Sequence, residues 1–131
     1  MSTSSASKTG KIPGPDHPIS IKPSNDHVQV LLAGIVIADT RAALTLQEST
    51  YPPVLYIPLA DVGKGLLEAS SHTSYCPYKG DCSYYSIVAG ETRAKDAVWR
   101  YAEPSAAVSA IQDYVAFYPD RVDAINIIPA S

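Results

Sequence analysis

His27-Val-Gln-Val-Leu-Leu-Ala-Gly-Ile-Val-Ile-Ala-Asp39 is the stretch that decides the fold. Val28, Val30 and Leu32 recur at every second position, which places them on one face of an extended strand rather than on one stripe of a helix. Ala33-Gly34 follows as a turn dipeptide, and Ile35 opens a second apolar run that returns beside the first. A β-hairpin accounts for the whole stretch.

The same signals recur on both sides of it. Ile19-Ser-Ile-Lys22 alternates. Residues 40–48 admit a short helix, but Leu44, Leu46 and Glu48 share one face at period two, which favours a strand. Tyr51-Pro-Pro53 ends that element, because proline has no N–H and restricts the residue before it. Residues 54–57 form another β run, closed by Pro58. A second hairpin is expected from residues 84–88 through Ala89-Gly90 to 97–101, where Ala97, Trp99 and Tyr101 alternate with Val98 and Arg100. A third is expected from 114–118 and 122–128, turning at Pro119-Asp120.

Leu59, Val62 and Leu66 repeat at helical spacing, so one short helix is expected over 58–69 despite Gly63 and Gly65. The Ala-rich segment after Pro104 is compatible with a further helical turn. The expected fold class is therefore mainly β, a compact antiparallel sheet or small open barrel of several hairpins with one short helix. The alternative class is α+β. The absence of βαβ alternation argues against a doubly wound nucleotide fold.

A chain of 131 residues has room for one core. Residues 1–18 are Ser, Thr, Lys, Gly and Pro with few apolar side chains, so a disordered tail is expected there. Residues 19–131 then form a single β-rich domain. With 46% hydrophobic and 18% charged residues, that domain can bury a core without disulfides or metal. The net charge of −3 removes the electrostatic drive for binding phosphate backbones, so nucleic acid is not an expected partner. No apolar run reaches the roughly 18 residues of a membrane span. Residues 1–11 lack the apolar stretch of a secretory signal, and the first arginine is Arg41, so a cytosolic protein is expected. Exposed edge strands in so small a β protein are compatible with a homodimer.

Candidate chemistry concentrates in Ser71-His-Thr-Ser-Tyr-Cys-Pro-Tyr-Lys-Gly-Asp-Cys82, read as a Pro/Gly-shaped loop. His72, Cys76 and Cys82 supply three ligands at a spacing that fits no closed zinc site, and no metal or cofactor is expected. Cys76 is a candidate nucleophile if Lys79 or a histidine lowers its pKa, and alternatively a small buried plug. Lys79 is a candidate anchor for a carboxylate or phosphate, or else simply solvated. Glu48 shares a face with Leu44 and Leu46, and a carboxylate facing a core must be paired or have a raised pKa. It is a candidate general acid or base, or a partner of Lys79 or Arg100; if the strand ends at Gln47, it points to water instead. Asp61 is placed to stabilise the first turn of the expected helix.

Nine tyrosines against one Phe and one Trp give most of the large rings a hydroxyl that needs a partner when buried. Such rings suit a polar-lined cavity, and equally the half-buried positions of a sheet. Trp99 and Tyr101 on one strand face are either an aromatic wall or cross-strand packing.

Several segments together carry a resemblance: Ala38-Asp39-Thr40; Glu48 through Pro52-Pro53-Val54 with Tyr56, Pro58 and Asp61; Cys76-Pro-Tyr-Lys-Gly80 followed by Tyr84-Tyr85-Ser86; Trp99, Tyr101 and Pro104; and Tyr114-Val-Ala-Phe117. In this order they resemble the domain-of-unknown-function 427 family from about Ile19 onward. Members are sometimes labelled nucleotidyltransferase-like, but this sequence has neither a Gly-Ser loop followed by paired metal-binding carboxylates nor another nucleotide signature. The resemblance implies a compact β fold in which the motif residues converge on one concavity. Cys82 is not part of the motif.

Two functions follow. One is a small-molecule pocket, enzymatic or not, with Glu48 and Cys76 as reactive groups. In it Lys79 anchors an anion, and Tyr56, Tyr84, Trp99 and Tyr101 form the walls. The other is a non-catalytic binding or accessory protein in which the same residues form a structural hydrogen-bond network.

Overall fold

A computed structural model describes residues 10–130. Ten strands run in the order β1 (Ile19–Pro23), β2 (His27–Leu32), β3 (Ile35–Thr40), β4 (Leu44–Glu48), β5 (Val54–Pro58), β6 (Leu67–Cys76), β7 (Gly80–Ala89), β8 (Thr92–Arg100), β9 (Tyr114–Phe117) and β10 (Ala124–Ile128). They form a seven-stranded sheet, β1-β4-β5-β9-β8-β7-β6, and a three-stranded sheet, β10-β2-β3. Every ladder is antiparallel. The fold is mainly β, as expected, and the larger sheet is curled without closing into a barrel. Among the described residues no helix is long and apolar enough to cross a membrane.

Period-two alternation divides the side chains of the large sheet between two apolar clusters. On one face Ile57, Ile87, Val98, Val115 and Phe117 meet Val28, Val30 and Ile37 of the small sheet and form the main core. On the other face Leu46, Tyr56, Cys82, Tyr101 and Ala116 pack with Val108 and Ile111. Those last two residues come from a short 3₁₀ segment, Ala106–Ile111, which covers this second cluster. Neighbours such as Tyr56 and Ile57 thus feed opposite faces.

The first two expected hairpins are present. β2 and β3 pair across Ala33 and Gly34, both at positive φ (53° and 74°), as a tight hairpin turn requires. β7 and β8 pair with Tyr84 opposite Trp99.

The rest of the local reading needs correction. The expected third hairpin does not form: β9 pairs with β5 and β8, whereas β10 crosses to the small sheet and pairs with β2. The helix expected over 58–69 is only one 3₁₀ turn, Leu59–Asp61. The Leu66 side chain folds over Gly63, to within 2.5 Å of where a Cβ would stand there, and Gly65 takes a φ of +78°. Neither arrangement continues a helix, so β6 begins at Leu67. Asp61 does not stabilise a helical first turn; it accepts a 2.7 Å hydrogen bond from Thr40 Oγ1, tying β3 to this turn. Residues 71–82, read as a loop, are the two arms of the β6–β7 hairpin.

Positions 1–9 of the expected tail, and position 131, lie outside the described residues. From Gly10 onward the segment is docked rather than free: Lys11 N–H donates to Pro77 O at 2.8 Å, and Ser49 N–H donates to Pro18 O at 2.8 Å.

Ile87 is fully buried between the sheets, whereas Ile128 is 51% exposed. Ile87→Ala is expected to cost about 2–5 kcal/mol through lost transfer energy and the cavity left behind, and Ile128→Thr less than about 0.5 kcal/mol. Urea denaturation of the two variants checks the pair; equal costs would contradict this placement of the core.

Candidate functional site

Four pairs of residues at i and i+2 line the same side of the large sheet: Leu46 and Glu48, Val54 and Tyr56, Cys82 and Tyr84, and Trp99 with Tyr101, the residue directly after β8. Each pair is two teeth of one strand's pleat, so a single alternation places both. They line a cavity of about 210 Å³, completed by Tyr51, Pro52, Tyr118 and Lys79.

Lys79 reaches the cavity from the β6–β7 turn. Gly80 holds that turn at a φ of +110°, and a Cβ there would stand 3.3 Å from the Glu103 carbonyl. The turn is pinned by Ser105, whose N–H donates to Lys79 O at 3.0 Å and whose hydroxyl donates to Tyr78 O at 2.5 Å.

Lys79 Nζ donates to Glu48 Oε1 at 2.5 Å, and His17 Nε2 donates to Oε2 of the same carboxylate at 2.8 Å. The carboxylate and the ammonium are only 13% and 11% exposed. The His17 ring lies flat on Tyr78 at 3.9 Å, and the Tyr51 ring meets its edge at 6.1 Å. Lys79 Nζ also stands 5.7 Å above the Tyr101 ring, within cation–π range. Burial alone would raise the Glu48 pKa, but the hydrogen bonds from Lys79 and His17 outweigh it and hold the carboxyl below its ordinary value. Glu48 is therefore an ionised, doubly engaged carboxylate.

Burial shifts three phenols and one thiol in the remaining walls. Burial raises the Tyr101 and Tyr56 phenols well above the ordinary value, and pushes Tyr84 up to about 12. Burial also raises the Cys82 thiol. Tyr56 Oη accepts a 3.2 Å hydrogen bond from the Trp99 indole N–H, and the two rings meet edge to face at 6.4 Å. Tyr84 Oη and Ser74 Oγ are hydrogen-bonded at 2.9 Å, and Tyr118 leans on Trp99 at 4.5 Å between ring centroids. The cavity thus offers hydroxyl hydrogen bonds, aromatic faces and one internal ion pair. Burial keeps the Cys82 thiol and the Tyr56, Tyr84 and Tyr101 phenols protonated at neutral pH.

Among the residues named from sequence, Glu48, Tyr56, Lys79, Tyr84, Trp99 and Tyr101 all reach this cavity. Cys76 is not among its lining residues. It is half-buried at the end of β6, packed behind the cavity against the second cluster, and both cysteines are free thiols. Arg100 pairs with Asp113 rather than with Glu48. Sequence reasoning missed Cys82, whose signal was its period-two phase with Tyr84, and Tyr51 with Pro52, which sit inside the quoted motif. It also missed His17, which carries no pattern at all and meets Glu48 from 31 positions away.

The family model described as domain of unknown function (DUF427) matches residues 20–127. No curated protein matches the chain.

Because the Glu48 pKa is depressed by folding, its contribution to stability is full above its ordinary value of 4.5 and is lost as pH falls through the lower folded value. At pH 7 Glu48→Gln is expected to cost about 1–3 kcal/mol, since it leaves Lys79 without its carboxylate. The gap to wild type should close progressively as pH falls below about 4.5. Urea denaturation across that range checks it; a gap independent of pH would show that the carboxylate is not the stabilising group.

Proposed function

The chain belongs to the DUF427 family, and from that premise we propose that it binds a small molecule non-covalently in the cavity between Glu48, Lys79 and the aromatic walls. The observation that carries this reading is the convergence of six motif side chains from separate segments on one concavity of about 210 Å³. That volume is below the roughly 300–1,000 Å³ of pockets for drug-sized ligands, so the ligand section it accepts is about one ring in size. Tyr56, Tyr84, Trp99 and Tyr101 offer flat faces and edges for such a ring. Lys79 has three N–H donors and gives one to Glu48, leaving donors for a carboxylate or carbonyl on the ligand. An ionised, doubly bonded Glu48 and neutral phenols favour binding and orientation over proton transfer.

One observation favours the competing reading of a structural network. Both Glu48 oxygens are engaged, and the Tyr56 and Tyr84 hydroxyls already have partners. The two readings part on whether a ring can enter.

Trp99 is the chain's single tryptophan and reports directly on its own wall. Titration with benzoate and benzamide is expected to quench or shift its emission. Lys79→Met is expected to weaken benzoate by about 10- to 100-fold, the value of a charge-assisted hydrogen bond, with far-UV circular dichroism unchanged. Tyr101→Phe, which keeps the ring, should weaken it less. No response to any member of the panel, in a protein whose Trp99 is quenched by acrylamide, would favour the filled network.

A further inference from the structure

On the opposite face of the large sheet lies a second and larger cavity, about 460 Å³, in the cleft between the two sheets. Its walls include Val28, Leu55, Ile57, Phe117, Ile125 and Ile127. Its polar side chains are Ser24, Asp26 and Thr45, and among the described residues no basic one lines it. An anionic group has nothing to pair with there and would face Asp26, whereas an uncharged apolar group loses only its water contact.

The two cavities share a partition. Trp99 and Val54 line both. The ladder between β5 and β9 is only two pairs long, Ile57 with Val115 and Pro58 with Tyr114. Beyond it β5 and β9 part from each other: Val54 and Leu55 pair with β4 and Phe117 with β8, and all three border the cleft. Trp99, opposite Ala116 of β9, stands at this boundary: its indole N–H donates to Tyr56 Oη on the polar side, and the residue also borders the apolar cleft.

We propose that the cleft is an apolar subsite for the uncharged arm of the same ligand whose polar ring sits against Lys79, which makes the ligand class an amphipathic small molecule. The inference rests on the binding reading above. The polar cavity takes the hydrogen-bonding head, the cleft takes an aliphatic or aryl arm, and Trp99 packs against the junction. Burial of each methylene is worth about a fourfold gain in affinity.

The test uses benzoate and its 4-methyl, 4-ethyl, 4-propyl and 4-butyl derivatives, titrated calorimetrically into the full chain. The ratio of butyl to parent affinity is the readout, so that a general change in head binding cancels. The expected result is a rise of roughly three- to fourfold per methylene in the wild type. That rise should collapse towards unity in Ile125→Phe, which fills the cleft. It should also fall in Ile127→Glu, a substitution at a residue 51% exposed that places a carboxylate at the cleft. A flat ratio with benzoate still bound, or a slope unchanged in both variants, overturns the subsite and leaves the head pocket standing. Failure of every member to bind removes the head pocket, and the subsite with it.

Discussion

A carboxylate and an ammonium that are each nearly nine-tenths covered must meet, because either one alone would be stranded from water at a cost of several kcal/mol. Glu48 ends β4, near one edge of the seven-stranded sheet, and Lys79 tips the β6–β7 turn at the other edge. Their 2.5 Å contact joins the two ends of a sheet that no ladder closes. The docking of His17 on Tyr78 and Glu48, and of Lys11 on Pro77, follows the same seam. The curl that results encloses the second apolar cluster and leaves the cavity above it. The contact that joins the two ends of the sheet also lines the cavity.

The same ion pair sets the chemistry. Its charges compensate one another inside the cavity, and the phenols and the Cys82 thiol around it are kept neutral by burial. The enclosure around the pair is aromatic and rich in hydroxyl groups. On its far side the sheet parts between β5 and β9, and the apolar cleft begins where Trp99 stands. Trp99 and Val54 border both the polar cavity and the apolar cleft.

Much of this was legible in the sequence because strand alternation is local. Val28, Val30 and Leu32 gave away the first hairpin. The phase of Glu48 with Leu44 and Leu46 offered an inward carboxylate as one of two readings, and alternation put Trp99 and Tyr101 on one strand face; convergence with Tyr84 came only from the family resemblance. What escaped was non-local or coincidental. Leu59, Val62 and Leu66 match a helical period, yet Gly63 and Gly65 bend the chain into a single 3₁₀ turn and then a strand. β9 and β10 look like a hairpin, but each finds a longer apolar partner in a different sheet. The phase of Cys82 with Tyr84 on β7 marked it as the inward thiol, whereas the glycine turn before it resets the phase and left Cys76 unplaced. His17 meets Glu48 through the curl of the whole sheet, which no local pattern encodes.

The most direct measurement of the central claim is a double-mutant cycle in urea: wild type, Glu48→Gln, Lys79→Met and the double variant, at neutral pH. A closing ion pair predicts a coupling of about 1–3 kcal/mol, with the double variant more stable than the sum of the single losses implies. Single losses that add to within about 0.5 kcal/mol would mean that the two ends of the sheet are held together by something else, and that the cavity does not depend on this contact.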